Sequence, residues 1–262
     1  MDEQLLWIAS KEGRVTEVKN LLRIPTLDVN WESSFGFTAL MMACTYGKDA
    51  VVQLLLEHAS IDVNKRTGSG QSPFWFSCRN GHTACARLLL KDNRLLPNEV
   101  TERGHSPLSS IAFTGNFELL QWWIASGRQL DLGGAHQPAS DVIRIARDNL
   151  NADVAKLLIS FKKDPEATRH EVREQLGYYK ELTVEVFALV VFLCDGLVSI
   201  KPNSSQDVMN AVRFFRIARQ LPLDLQMVLC QRLGGSGKNA ISSSASEAAF
   251  WALARRHHQL SS

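Results

Sequence analysis

The sequence predicts an all-α protein: a solenoid of stacked helix-turn-helix repeats followed by a helical C-terminal domain. Two glycine series and one asparagine series recur at a step of 34 residues, as in Gly36, Gly70 and Gly104. The other two series are Gly13, Gly47, Gly81 and Gly115, and Asn30, Asn64 and Asn98. Apolar residues keep the same step, for example Leu21, Leu55 and Leu89. A fixed period of about 20–50 residues is the signature of a solenoid.

The first helix of each repeat is predicted from its start and stop signals. Thr38, Ser72 and Ser106 stand at equivalent positions, and a Pro follows each of the two serines. A hydroxyl satisfies the free N–H groups at a helix start, and Pro fits the first helical turn. The helix then runs to the next Gly, which can end it in the left-handed conformation.

A second helix is predicted after that Gly from its broad apolar face. In the second repeat this face comprises Val51, Val52 and Leu54–Leu56. The segment Asp62–Asn64 then leads into an extended turn. One such helical pair cannot bury its apolar face alone, so neighbouring pairs must stack.

The repeating unit resembles the ankyrin repeat. The segments Gly36–Leu40, Gly70–Phe74 and Gly104–Leu108 match the G-x-T-P-L pattern of that family. Leu54–Leu56 and Asp62–Asn64 match its LLL and DVN segments. The His that the family usually carries after the Leu of the first pattern is absent, and the residues there are Trp7, Met41, Trp75 and Ser109. The resemblance implies a non-catalytic module for protein–protein interaction.

The repeats are predicted at residues 1–30, 31–64, 65–98, 99–132 and 133–161. The fifth is degenerate, because Asn149 stands where the 34-residue step expects Gly. The same step places Val142 opposite Leu108 and Leu157 opposite Trp123. Ser140 or Asp141 is expected to cap its first helix.

Residues 162–262 are predicted to form a helical capping or interaction domain. The apolar run within 182–199 is interrupted by Glu185 and Asp195, so it falls short of the roughly 20 apolar residues of a membrane span. We expect a buried helix there. The segment Leu221–Leu225 resembles the L-P-x-E-L opening of F-box and related boxes, which recruit ubiquitin-ligase scaffolds. Two interpretations follow: a substrate adaptor of a ubiquitin ligase, or a helical cap over the last repeat.

Composition and charge narrow the function classes. The net charge of +2 does not indicate a nucleic-acid partner. Five cysteines without a C-x-x-C spacing favour buried, reduced thiols, and therefore an intracellular protein of the cytoplasm or nucleus. The segment Met1–Gln4 lacks the basic and apolar stretches of a signal peptide.

No catalytic, cofactor-binding or metal-binding motif is predicted. The segment Gly234–Lys238 suggests a phosphate-binding loop, but Arg232 and Asn239 stand where that motif needs Gly and a hydroxyl. His257 and His258 are adjacent, so they cannot face one metal ion from a helix. We therefore expect neither an enzyme nor a cofactor.

The resemblance implies a concave binding surface, formed by the turn tips and the inner face of the first helices. Aromatic residues and Arg dominate interface energies, and both are frequent at the equivalent positions here. Trp31 and Phe35 have a second interpretation, which is packing between adjacent turns. The predicted partner is a protein, bound by Trp31, Phe35, Phe37, Thr45, Tyr46, Gln71, Arg79, Asn80, Arg103, His105 and Phe113.

Overall fold

The structure is a computed structural model that describes residues 2–133 and 141–178. These residues form eleven α-helices and no strand, which confirms the all-α prediction. The apolar run of 182–199, the Leu221–Leu225 segment and the Gly234–Lys238 segment lie outside the described residues. The helices are α1 (Asp2–Glu12), α2 (Val15–Leu21), α3 (Ala39–Thr45), α4 (Asp49–Glu57), α5 (Pro73–Arg79), α6 (Thr83–Lys91), α7 (Pro107–Thr114), α8 (Phe117–Ser126), α9 (Val142–Asp148), α10 (Ala152–Lys163) and α11 (Pro165–Gln175).

The repeats stack in two layers of helices. The first helices α1, α3, α5, α7 and α9 pack each on the next, and the second helices α2, α4, α6, α8 and α10 do the same. The core lies between the layers, where the edge of Phe74 contacts the Trp123 ring at 5.0 Å between centroids. The largest completely buried side chains of the described residues include Leu6, Leu40, Leu55, Leu89, Leu108 and Trp123. These are positions that the 34-residue step selects.

The predicted helix signals have the expected geometry. The side-chain oxygens of Thr38, Ser72 and Ser106 each accept a hydrogen bond from the backbone N–H three residues later, at 3.2, 3.2 and 3.0 Å. The glycine after the first helix of each of the first four repeats is left-handed, with φ of +65° at Gly47 and +75° at Gly115. Both ends of the first helix are therefore specified by local sequence.

The periodic asparagines join each repeat to the next. Asn64 donates from Nδ2 to the Arg94 carbonyl at 2.7 Å and accepts at Oδ1 from the Leu96 N–H at 2.8 Å. Asn30 makes the equivalent pair of bonds at 2.7 and 2.8 Å, and Asn98 does so at 3.1 and 3.1 Å. An amide side chain supplies both a donor and an acceptor, which is why one residue type can satisfy both groups.

The fifth repeat departs from the 34-residue period by one residue. Asp141 caps α9, accepting from the Arg144 N–H at 3.1 Å, and it follows Ser106 by 35 residues (141 − 106). The extra residue belongs to α8, which has ten residues where α4 and α6 have nine. Helix α8 ends on Gly127 in the left-handed conformation, whereas α4 and α6 end on residues with extended backbone.

This shift corrects the predicted alignment of the fifth repeat. Leu150, and not Asn149, occupies the left-handed position after α9, with φ of +61°. Leu158, and not Leu157, takes the fully buried position equivalent to Trp123. The alignment at a step of 34 was wrong because α8 gains its residue before the fifth repeat begins.

The chain divides into two compact units, Met1–Val172 and Arg173–Ser262. Helix α11 crosses this division, and its residues Thr168 and Val172 are buried. The domain boundary at 161/162 stays a prediction.

Three cysteines of the described residues, Cys44, Cys78 and Cys85, are free thiols in the core. Burial raises the pKa of Cys44 and Cys78 well above the ordinary thiol value. Burial also raises the pKa of Cys85 to about 12. Because the thiolate is the reactive form, these side chains act as small apolar packing groups.

Candidate functional site

A groove of about 720 Å³ opens along the first helices of the third, fourth and fifth repeats. Helices α5, α7 and α9 form its floor, and the turns before α5 and α7 form one edge. Its lining residues are Ser69, Gln71, Trp75, Arg79, Thr101, Glu102, Arg103, His105, Ser109, Ser110, Phe113, Ile145, Asp148 and Asn149.

The groove brings together five of the eleven sequence-predicted binding residues: Gln71, Arg79, Arg103, His105 and Phe113. The other six are not among its lining residues: Trp31, Phe35, Phe37, Thr45, Tyr46 and Asn80. The predicted set therefore divides into a group in this groove and a group nearer the N-terminal end of the array.

Arg79 of α5 and Phe113 of α7 contact each other within the groove. The Arg79 guanidinium lies over the Phe113 ring, with Cζ 4.7 Å from the ring centroid. Half of the Phe113 surface remains exposed, at 50%. A cation over an aromatic face is held by the ring quadrupole, which leaves the outer N–H groups of the guanidinium available to a ligand.

The turns at the edge of the groove are held by internal hydrogen bonds. The Thr67 hydroxyl donates to the Gln71 Oε1 at 2.6 Å, and the His105 N–H donates to the Thr101 hydroxyl at 3.1 Å. The Glu102 N–H donates to the Ser69 carbonyl at 3.1 Å, which joins the two turns. Gly70 permits this close approach, since a Cβ there would lie 3.0 Å from the Glu102 nitrogen. The backbone that carries the side chains of this edge is therefore held in one conformation by hydrogen bonds.

Sequence reasoning missed the far end of the groove, where Ile145, Asp148 and Asn149 line it from α9 and the residue after it. The predicted contacts stopped at the fourth repeat, because the degenerate fifth repeat offered no aligned motif. Trp75 was also missed as a lining residue. It stands where the family's His is expected, so its deviation from the pattern was the available signal.

The aromatic residues of the N-terminal group are partly exposed and partly engaged. Phe37 packs on Phe76 with ring centroids 5.3 Å apart, and Phe76 contacts Trp75 edge-on at the same distance. Tyr46 is 46% exposed, and the Lys11 ammonium lies 5.4 Å from its ring centroid.

The two remaining aromatic residues of this group lie before α3. Phe35 is 81% exposed, so it does not pack between turns. Trp31 is half-buried, so it retains both the packing and the binding interpretation.

Thr45 and Asn80 serve the contact between repeats. The Thr45 carbonyl accepts from Asn80 Nδ2 at 3.2 Å and lies 3.0 Å from His82 Nε2. The Thr45 hydroxyl donates back to the Met41 carbonyl at 2.7 Å. These side chains satisfy backbone carbonyls at the C-terminal end of α3. Thr45 therefore has fewer polar atoms available to a partner than the sequence predicted.

Within residues 2–133 and 141–178, no cluster of three His, Cys, Asp or Glu side chains could hold a metal ion. Over that same part of the chain, every helix is too short or too polar to cross a bilayer.

Comparison with protein families identifies the repeats. Residues 5–99 match the family model described as Ankyrin repeats (3 copies). The match covers the first three predicted repeats to within a few residues. No curated protein matches the chain.

Proposed function

We propose that this chain, whose residues 5–99 are ankyrin repeats, binds a protein partner on the concave face formed by its first helices and turns. Ankyrin repeats are in general modules for protein–protein interaction. The observation that carries the assignment to a face is the groove along α5, α7 and α9, where Arg79 and half-exposed Phe113 stand together.

The composition of the groove suits a protein surface. Arg and aromatic residues contribute most to interface energies, and Arg79 and Phe113 line this groove together. Because hydrogen bonds already hold these turns, their backbone would lose little conformational entropy when a partner binds. The N-terminal aromatic residues Phe35, Phe37 and Tyr46 extend the proposed surface along the array.

The same proposal assigns no catalysis to the described residues. The buried thiols have raised pKa values, which removes them as nucleophiles. Free thiols also fit the reducing interior of the cell, where we place the protein. The adaptor alternative depends on Leu221–Leu225, and no observation on the described residues favours it.

The proposal is tested with matched aromatic substitutions and quantitative capture from cell lysate. Phe113→Ser removes the ring in the groove, while Phe117→Ser removes a similarly exposed ring, 37% exposed, at the start of α8. We expect proteins retained by the wild-type chain to be lost with Phe113→Ser and kept with Phe117→Ser. Equal retention by the two folded variants would refute the groove as the binding face.

A second pair of changes tests the N-terminal group. The double variant Phe37→Ser with Tyr46→Ser should also lose the partner, and its melting temperature should fall because the Phe37 ring packs on Phe76. The binding comparison is therefore made at a temperature where circular dichroism shows that the variant is folded. Retention by this variant, together with loss by Phe113→Ser, would confine the interface to the third, fourth and fifth repeats.

A further inference from the structure

The partner's chemistry can be inferred from the charges that line the groove. We propose that the groove binds an extended peptide segment with an acidic residue at one end, a basic residue at the other and an apolar residue between them. This inference rests on the proposed function and specifies the ligand of the same site.

The acidic residue of the peptide is assigned by two arginines that have no carboxylate partner within residues 2–133 and 141–178. Arg79 contacts the Phe113 ring, and neither Arg79 nor Arg103 makes an ion pair among the described residues. By contrast, Arg66 pairs with Glu99 at 2.9 Å and Arg94 with Asp92 at 2.6 Å. These two ion pairs join neighbouring repeats or lie within one repeat. Arg79 and Arg103 differ from them, because no carboxylate of a described residue lies within ion-pair distance.

A guanidinium that keeps its N–H groups free is the preferred receptor for a carboxylate. Its planar fork donates two parallel hydrogen bonds, and the charge strengthens each of them. Among the lining residues of the third and fourth repeats, Arg79 and Arg103 carry two positive charges and Glu102 carries one negative charge. The balance at the edge formed by the third and fourth repeats favours an anionic residue.

The basic residue is assigned by the opposite end of the groove. Asp148 is the last residue of α9, it is exposed, and it makes no ion pair with a described residue. The negative end of the helix dipole reinforces its charge. Along the array, Arg79 therefore lines the groove from the third repeat, Arg103 from the turn that opens the fourth, and Asp148 from the fifth.

The apolar residue is assigned by the rings and the side chain between these charges. Trp75 of α5, Phe113 of α7 and Ile145 of α9 line the groove, and each keeps part of its surface exposed. An apolar side chain of the peptide that contacts these residues would be removed from water, which favours binding.

The spacing of the repeats sets the spacing of the charges on the peptide. Packed helices lie about 8–10 Å apart, and an extended chain rises about 3.3 Å per residue. One repeat therefore corresponds to roughly three peptide residues. The path from Arg79 and Phe113 to Asp148 covers one to two repeats, so we expect the acidic and basic residues about three to six positions apart.

The test uses the full 262-residue chain as bait for a displayed library of random peptides of about twelve residues. Sequencing of the retained clones should show an acidic residue followed or preceded, about three to six positions away, by a basic one. Synthetic versions of the enriched peptides are then titrated by fluorescence anisotropy. Their affinity should fall as salt concentration rises, because the contacts are between exposed charges.

Charge-reversal variants assign each end. The double variant Arg79→Glu with Arg103→Glu should lower the affinity for the enriched peptides by about tenfold or more. A new selection on this variant should no longer prefer an acidic residue. Asp148→Arg should remove the basic preference and keep the acidic one. Arg23→Glu reverses an exposed arginine outside the groove and should leave both preferences unchanged. All these positions are exposed, so we expect each variant to fold, and circular dichroism is the measurement that checks it.

The outcomes separate this inference from the function on which it rests. Peptides that lack charged residues, but lose binding with Phe113→Ser, would overturn the charge pattern and leave the groove as a binding face. Enriched peptides whose binding responds to none of the groove variants would overturn both. A selection that enriches nothing over an empty support would overturn the short peptide segment as the ligand, whereas the lysate capture with Phe113→Ser would still decide the binding face.

Discussion

Leu150 adopts the left-handed conformation that the other repeats give to glycine. Its φ is +61°, and its side chain is 90% exposed, so it gains little packing in return. For a residue with a Cβ this conformation costs roughly 1–2 kcal/mol. The strain is local and is fixed by the turn between α9 and α10.

Leu150→Gly should therefore raise the free energy of unfolding by about 1 kcal/mol, since the relieved strain outweighs the added freedom of the unfolded chain. Leu96→Gly is the matched control: Leu96 is also exposed, at 54%, but has an ordinary backbone, so its replacement should destabilise. Urea denaturation of the three proteins measures the difference. A destabilised Leu150→Gly variant would contradict the strain argument.

Two glycines with the same backbone conformation distinguish the cost of backbone strain from the cost of a steric clash at the added Cβ. Gly115 and Gly104 have φ of +75° and +76°. A Cβ on Gly115 would lie 2.3 Å from Asn151 Oδ1, whereas a Cβ on Gly104 would meet nothing within 4 Å. Asn151 cannot move freely, because its Nδ2 donates to the Ala112 carbonyl at 2.8 Å.

Gly104→Ala should cost roughly 1–2 kcal/mol from the backbone alone. Gly115→Ala should cost about 1–3 kcal/mol more, because Asn151 must leave the carbonyls that it satisfies. Denaturation midpoints of the two variants test this order. Equal costs would mean that Asn151 relaxes without losing its hydrogen bonds.

At the scale of elements, the second helices of the second to fifth repeats share an equivalent fully buried position. Leu89 in α6 is completely buried between its neighbours, as Leu55 and Leu158 are in α4 and α10. The adjacent Leu88 is only half-buried. The helical period decides which leucine of the run enters the core.

Leu89→Ala should lower the free energy of unfolding by about 2–5 kcal/mol, since it deletes side-chain volume in a close-packed layer. Leu88→Ala, the matched change on the same helix, should cost clearly less because that side chain already contacts water. Chemical denaturation of both variants gives the comparison. Similar costs would show that the layer between α4, α6 and α8 repacks around a void.

At the scale of the molecule, α11 follows the last helical pair of the described array and approaches it through Arg169. Phe161 at the end of α10 is 7% exposed, and the Arg169 guanidinium lies 5.9 Å from its ring centroid. Val172 is 2% exposed on the same helix as Arg169. A solenoid needs cover on its last repeat, because a bare apolar face favours aggregation.

A chain ending at residue 161 should therefore melt at a lower temperature, or aggregate more readily, than a chain ending at residue 178. The longer of the two retains α11 and its contact with Phe161. Thermal unfolding and size-exclusion chromatography of both, beside the full chain, measure the effect. Identical melting temperatures and monomeric behaviour at 161 would rule out a capping role for α11.

Much of the fold could be read from local sequence. The hydroxyl caps, the terminating glycines and the buried leucines are each visible within a few residues, because helix starts, helix ends and helix faces depend on nearby atoms. The role of Asn64 could not be read in this way, since its two partners belong to residues about thirty positions later.

The sequence by itself determined a stack of helical pairs with a period of 34 residues, since that period is a covalent property of the chain. The tertiary structure alone decided the register of the fifth repeat, because one residue added to α8 moves Leu158 into the core and Asp148 to the groove. It also decided which predicted binding residues share one surface. That selection depends on the packing of α5, α7 and α9 side by side. No local sequence pattern determines which residues of three separate helices come together.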